Sequence, residues 1–318
     1  MRILVLIPIF NDWTSADHLL ADLDRVAGER GESYSVVMMN DGSTEAGSFD
    51  SERIRQHTHL DRVQLINLVS NFGHARAIAV GLGAVVHRDK IDAVIVMDAD
   101  GEDRPEDVGR LIDAAANKPD TVIVAHRAQR SEGLVFRTAY SVYKVLFWLL
   151  TGSQISFGNF CLIPCALVQK LVFVPELWSH LAACILKSRL PMYKISTSRG
   201  ERYHGTSKMN FVSLVQHGLG AIAVYLETVL VRILLGFLAF FGMVFGGMMV
   251  VVAVRVATDL AIPGWASTVF GVLSILLVQS IVFCVLLVFM SLKNRITTLS
   301  LPALYYRDYI AGIDELCE

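Results

Sequence analysis

The sequence predicts an α/β head built on a doubly wound, mostly parallel sheet, followed by a hairpin of two membrane-spanning helices. Three observations predict it. Short, continuously apolar, β-branched runs alternate with helical patterns up to about residue 125. Two long stretches, Ile233 to Val254 and Ala266 to Leu292, carry no charge over 22 and 27 residues. The whole chain of 318 residues is 53% hydrophobic and only 18% charged, with mean hydropathy +0.50, where a soluble domain carries about a quarter charged residues.

The strands come first. Ile3–Ile9, Ser35–Met39, Val63–Val69, Ala93–Met97 and Thr121–Ala125 read as strands buried on both faces. Between them, Ala16, Leu19, Leu20, Leu23 and Val26 share one helical face, with Thr14 or Ser15 available as the cap. Ala75 to His87 is a second helix, and Pro105 to Ala116 a third with proline in its first turn. Repeated βαβ units place ligands at the carboxyl ends of the strands. Phe136–Leu150 is amphipathic and aromatic, suited either to a membrane interface or to the core of the head, and Asn210–Leu226 reads as a similar approach to the first span.

Each uncharged stretch is long enough to cross a hydrocarbon core of about 30 Å. The expected organisation is a head over residues 1–228, two spans over 229–295 and a tail over 296–318, without functional signal in the tail. Arg199, Arg202 and Lys208 precede the first span, and Lys293 and Arg295 follow the second. The positive-inside rule therefore puts head and both termini in the cytoplasm of an inner or plasma membrane, against the lone counter-signal of Arg255. The N-terminal MRILVLIPIF is too short in its apolar part, and lacks the cleavage site, for a signal peptide. Five cysteines with no C-x-x-C pair suggest neither a disulfide framework nor a zinc site. A net charge of -2 argues against general nucleic-acid binding. Gly242 and Gly246 form a G-x-x-x-G pair that suits either a homo-oligomer or packing within the hairpin.

Four strand ends are polar. The first runs into Pro8-Ile9-Phe10-Asn11-Asp12, the second into Asn40-Asp41-Gly42-Ser43, the third into Ser70-Asn71-Phe72-Gly73-His74 and the fourth into Asp98-Ala99-Asp100. In a parallel sheet all four meet on one rim. Asp98 and Asp100, at i and i+2 of an extended segment, would point the same way and repel. Mg²⁺ or Mn²⁺ relieves that repulsion, completes its shell with phosphate oxygens and neutralises a departing diphosphate. Asp41 is read either as an acceptor for ribose or base groups or as an ordinary turn former before Gly42. Glu106 and Asp107 suit the N-terminus of the Pro105 helix.

PIFND, NDGS, SNFGHARA, DADGEDRPE and the late GTSKM together resemble the polyprenyl-phosphate glycosyltransferases, the family that includes dolichyl-phosphate mannose synthase. The resemblance covers roughly residues 3–210, and the spans match its branch with a C-terminal membrane hairpin. It implies a GT-A-type head that transfers a sugar, with inversion, from a nucleotide-sugar to a polyprenyl phosphate. It also implies that Pro8, Asn11, Asn40, Asp41 and Asp98 lie at the nucleotide, that Asp100 with Asp98 holds the metal, and that Arg202, Ser207 and Lys208 meet phosphates.

Three positions depart from that family. Asn40 stands where an aspartate is usual, Glu102 where glutamine is common, and Asn159 in Gly158-Asn159-Phe160-Cys161-Leu162 where the family has the aspartate assigned to acceptor activation. An amide is no general base. A phosphate monoester, mostly dianionic at pH 7, needs none, whereas a hydroxyl acceptor does. Asn159 therefore favours a phosphate acceptor that it orients. Arg127, Arg130 and Arg137 are candidates to hold that phosphate, or alternatively form a solvated basic surface that attracts anionic lipid. A processive polysaccharide synthase would carry a Q-x-x-R-W motif and further spans, and this chain has neither. The remaining alternative is a degenerate head that binds nucleotide-sugar without transferring it, motivated by Asn40 and Asn159.

Overall fold

The computed structural model describes residues 1–45, 47, 49–86, 88, 91–127, 134–204, 211–257, 264–296 and 300–317. Contacts divide the chain into two units. The first comprises Met1–Val145, Ser153–Val224 and Leu299–Glu318, the second Leu146–Gly152 and Tyr225–Thr298.

The first unit is built on one sheet of β1 (Ile3–Ile9), β2 (Tyr34–Asn40), β3 (Leu60–Leu68), β4 (Ala93–Val96), β5 (Val122–Arg127), β6 (Cys161–Pro164), β7 (Met192–Thr197) and β8 (Ile310–Cys317). Their order across the sheet is β7-β5-β6-β4-β1-β2-β3-β8. The β1–β2, β1–β4, β2–β3 and β5–β7 pairs are parallel, whereas β6 runs against β4 and β5, and β8 against β3. The sheet is therefore mostly parallel.

Helices α1 (Trp13–Arg30), α2 (Ser51–Ile54), α3 (His74–Val85) and α4 (Pro105–Ala116) connect the first strands. Ile3, Val5, Ile7 and Ile9 of β1 pack with Leu19, Leu20 and Leu23 of α1, and Leu4 and Leu6 pack on the other face with Ile78 and Val80 of α3. Burial on both faces explains why β1 reads as an unbroken apolar run. α1 starts one residue before the expected caps. Thr14 and Ser15 lie in its first turn, and Asp12 at the N-cap makes no side-chain capping bond. Pro105 opens α4 as expected.

Further along come α5 (Leu134–Thr151), α6 (Cys165–Leu171), α7 (Leu181–Lys187) and α8 (Phe211–Ala223). α5 leaves Val142, Val145, Leu146, Trp148 and Leu149 between 45% and 64% exposed. In the second unit, α9 (Leu226–Ala257) and α10 (Trp265–Ile296) are long and apolar enough to cross a membrane. An added Cβ at Gly236, Gly242 or Gly246 would meet nothing within 4 Å, so these glycines do not make the α9–α10 contact; Gly247 approaches it, near Leu273.

The chain after residue 295 differs most from expectation. The short α11 (Pro302–Tyr305) leads into β8, which closes the free edge of β3 instead of trailing as a tail. The Arg62 guanidinium donates to both oxygens of Glu315, and the Asn67 amide donates to Asp314 at 2.8 Å. An exposed β3 edge would offer unpaired backbone groups, and an antiparallel strand satisfies them.

Candidate active site

The parallel register sets Ile9 of β1 beside Asn40 of β2, and Asn40 beside Asn67 of β3, so the expected polar clusters share one rim. Pro8 is buried in β1 opposite Met39. Pairing with β4 ends at Leu6–Val96, so the missing Pro8 N–H falls where no ladder partner remains.

Asn11 and Asn40 shape this rim. Asn11 sits in the left-handed region at φ 54°, which asparagine tolerates, and its Oδ1 accepts the Thr44 and Glu45 amides at 2.8 and 3.0 Å. Asn40 accepts the Ser43 amide at 3.0 Å and donates to Asn67 at 2.8 Å. A relay thus runs from Asn40 through Asn67 to Asp314 of β8, and an aspartate at 40 could not donate its first step. Asp41, 3% exposed, accepts the Phe72 and Gly73 amides at 2.8 and 2.9 Å. Burial raises its carboxyl above the ordinary value against the pull of those two bonds. Asp41 thus pins the β3–α3 loop.

β4 ends at Val96, and the segment from Ala99 to Asp103 turns. The extended i, i+2 geometry expected for Asp98 and Asp100 is therefore absent, and the carboxylates engage different partners. Asp98 Oδ1 lies 2.8 Å from His74 Nε2. Asp100 accepts the Glu102 amide at 2.9 Å on Oδ1 and the Arg202 guanidinium at 2.6 Å on Oδ2. Burial raises the Asp100 carboxyl, the Asp98 charge adds to it, and Arg202 opposes it.

The segment carrying Arg202 is fastened to this turn. The Gly200 amide donates to Glu102 O and the Tyr203 amide to Asp100 O, both at 2.9 Å, while Arg199 meets Glu102 at 2.6 Å. Gly101, at φ +86°, leaves no room for a Cβ beside Tyr203. Glu102, the added charge noted in the sequence, is thus answered by Arg199. Glu106 and Asp107 sit in the first turn of α4 as expected.

Among the described residues no three metal-binding side chains converge. Asp98 and Asp100 offer two carboxylates that act on each other electrostatically. That donor set fits a hard divalent ion whose shell is completed by phosphate oxygens and water.

Asn159 reaches the rim because β6 runs back antiparallel beside β4, with Cys161 opposite Val96. Its Nδ2 lies 3.4 Å from His74 Nδ1. His74 therefore bridges Asp98 and Asn159. Burial lowers the His74 imidazole, but the charge and hydrogen bond of Asp98 outweigh it and hold its value above the ordinary one. His74 was visible in the sequence at the end of the third strand but received no role there. Arg199, His180 and His217 were also missed, and His180 and His217 carry no motif that would single them out. Arg130, Ser207 and Lys208 lie outside the described residues, as do the side chains of Arg127, at the end of β5, and Arg137.

A mostly parallel sheet with paired aspartates after its central strand defines a glycosyltransferase head of the GT-A type. The family model described as Glycosyl transferase family 2 matches residues 4–169, and the chain belongs to that family. It is 24% identical over 269 residues to an uncharacterized glycosyltransferase of Bacillus subtilis, YkcC, covering 83% of this chain and 81% of the relative. An undecaprenyl-phosphate 4-deoxy-4-formamido-L-arabinose transferase of Klebsiella pneumoniae is 26% identical over 283 residues, covering 84% and 79%. A transferase of the same name from Edwardsiella ictaluri is 26% identical over 66% of this chain, which spans 64% of that relative. Among solved structures, glucosyl-3-phosphoglycerate synthase of Mycobacterium tuberculosis, in complex with Mn²⁺, UDP-glucose and phosphoglyceric acid, superposes with TM-score 0.50 at 14% identity, over 72% of this chain and 79% of that one.

Proposed function

We propose that this glycosyltransferase moves a sugar, with inversion, from a nucleotide-sugar to a polyprenyl phosphate at the cytoplasmic face of a membrane. The observation that supports this reading is Asn159 beside His74 on the rim: the resembled family has an aspartate in that motif, and an amide could not serve a hydroxyl acceptor as its base. Two helices apolar enough to span a membrane and relatives named as undecaprenyl-phosphate transferases support it.

An acceptor phosphate oxygen forms the new bond at the anomeric carbon, and the bond from that carbon to the donor diphosphate breaks. The nucleoside diphosphate leaves with the bonding electron pair. No proton moves, because the acceptor arrives as a dianion. Asp98 and Asp100 are the residues that would hold Mg²⁺ or Mn²⁺. When bound, such an ion supplies positive charge to the departing diphosphate. Arg202 adds fixed positive charge beside Asp100; in the resemblance-based reading Lys208 adds charge near the phosphates and Ser207 a hydroxyl donor. His74 holds Asp98 in orientation, and Asn159 orients the acceptor.

The test is radiolabelled transfer by the purified full chain, from a panel of nucleotide-sugars, to undecaprenyl phosphate and to undecaprenol. Labelled lipid from the phosphate alone is expected. Transfer to undecaprenol, or none with any donor, overturns the reading.

A further inference from the structure

A second histidine cluster stands outside the residues already assigned. His180 is the N-cap of α7, where its Nδ1 accepts the Ala183 amide at 3.3 Å. An accepting Nδ1 carries no proton, so the proton of the neutral ring sits on Nε2. That nitrogen lies 3.0 Å from Nε2 of His217 on α8, with ring centroids 4.4 Å apart. His180 therefore donates and His217 accepts, which leaves the His217 proton on Nδ1. Among the described residues Nδ1 has no partner. One capping bond thus dictates, through two rings, that His217 presents an N–H donor.

The location gives that donor a ligand. His180 is 5% exposed, but His217 is exposed to solvent. α7 packs against both α3, the helix that His74 opens, and α8, so His217 stands one helix away from the rim that carries His74 and Asn159. Burial and the neighbouring imidazoles push His180 down to about 3, so its ring stays neutral at pH 7. Val215 and Leu219, two residues either side of His217, are 42% and 58% exposed. α8 ends three residues before α9, the first candidate span. A polar donor flanked by exposed apolar side chains, on the helix leading into a span, matches an amphiphile with an anionic head.

We infer that His217, oriented by His180, hydrogen-bonds the phosphate of the lipid acceptor, with Val215 and Leu219 against the first part of its chain. This rests on the polyprenyl-phosphate reading above and adds binding residues to it. His217 touches the phosphate; His180 is a positioning residue that selects the tautomer.

The experiment measures binding of farnesyl phosphate, inorganic phosphate and farnesol to the purified full chain in detergent, alongside the KM for each substrate. His217→Ala is expected to weaken farnesyl phosphate about ten- to a hundredfold, as for loss of a hydrogen bond to a charged group, with the nucleotide-sugar KM unchanged. His217→Gln, which keeps a donor, restores part of the loss. His180→Asn retains a good helix cap but is too short to reach His217. It should keep thermal stability, weaken farnesyl phosphate in the same way, and add nothing further in the His180→Asn/His217→Ala double variant. A folded His217→Ala protein with unchanged farnesyl phosphate affinity overturns the inference. Inorganic phosphate bound as tightly as farnesyl phosphate overturns the lipid assignment. Failure of the parent reading looks different: the wild type then transfers no sugar to polyprenyl phosphate, whatever His217 does to binding.

Discussion

The Arg202 guanidinium lies 2.6 Å from Oδ2 of Asp100, both side chains less than a fifth exposed, although 102 positions separate them in the chain. This pairing ties an aspartate that follows β4 to the loop that follows β7, the edge strand of the sheet. Burial and Asp98 raise the Asp100 carboxyl, so the folded state disfavours its charge despite Arg202. Asp100→Asn removes that unfavourable charge at neutral pH. The variant is expected to melt within a few degrees of wild type yet lose transfer by about 10²-fold or more, since metal charge stabilisation is worth several kcal/mol. EDTA should reproduce the loss. Full transfer by the variant in metal-free buffer would remove Asp100 from the metal site.

Asn40→Asp restores the acidic residue usual in the resembled family but breaks the relay through Asn67 to Asp314. The new carboxylate faces the Asn67 carbonyl, and turning Asn67 over sets its oxygen against Asp314. The expected cost is about 1–3 kcal/mol, seen as a lower melting temperature. An Asn40→Asp protein as stable as wild type would show that the relay contributes nothing.

Asn159→Asp places a negative charge where the acceptor phosphate is expected. At about 4 Å and an effective dielectric near 20 the repulsion is on the order of 4 kcal/mol before relaxation, and His74, 3.4 Å away, absorbs part of it. The acceptor KM should rise, with no gain in kcat. A large gain in kcat would mean that a base had been missing, and would favour the degenerate-enzyme reading.

His180 makes stability depend on pH. Its folded value is pushed down to about 3, below an unfolded value of about 6.5. Below pH 6.5 the unfolded chain takes up a proton that the folded chain refuses, so stability present above that pH is lost as pH falls. The slope is about 1.4 kcal/mol per pH unit. Denaturant melts at pH 7, 6 and 5 should show wild type losing stability faster than His180→Asn. Parallel losses would exclude His180 as the source.

At Gly246 a Cβ would meet nothing within 4 Å among the described residues, so Gly246→Leu is expected to melt close to wild type. If the glycine pair joins copies of the chain, the variant shifts to lower mass in detergent, read by light scattering; an unchanged mass leaves the glycine pair without an assembly role.

Local pattern determined much of this protein. β1 reads correctly because both its faces are buried, which writes a continuous apolar run into the sequence. The two long apolar helices read correctly because an extended uncharged stretch writes its own length into the sequence, and that length is what crossing lipid requires. The polar strand ends read as one rim because parallel strands share a direction.

Partnership over long sequence distances was decided only in three dimensions. Ile310–Cys317 has no pattern that distinguishes a tail from a strand, and the open edge of β3 settled it. Asp41 looks the same in sequence whether or not it pins a loop, and only the fold brought the Phe72 and Gly73 amides to its carboxylate. Asp98 and Asp100 take different partners because β4 stops at Val96, after which His74 meets one carboxylate and Arg202 the other. Hydrogen bonds and ion pairs act over about 3 Å of space whatever the separation along the chain. Motifs therefore announce which chemistry is present, while packing decides which side chains carry it out.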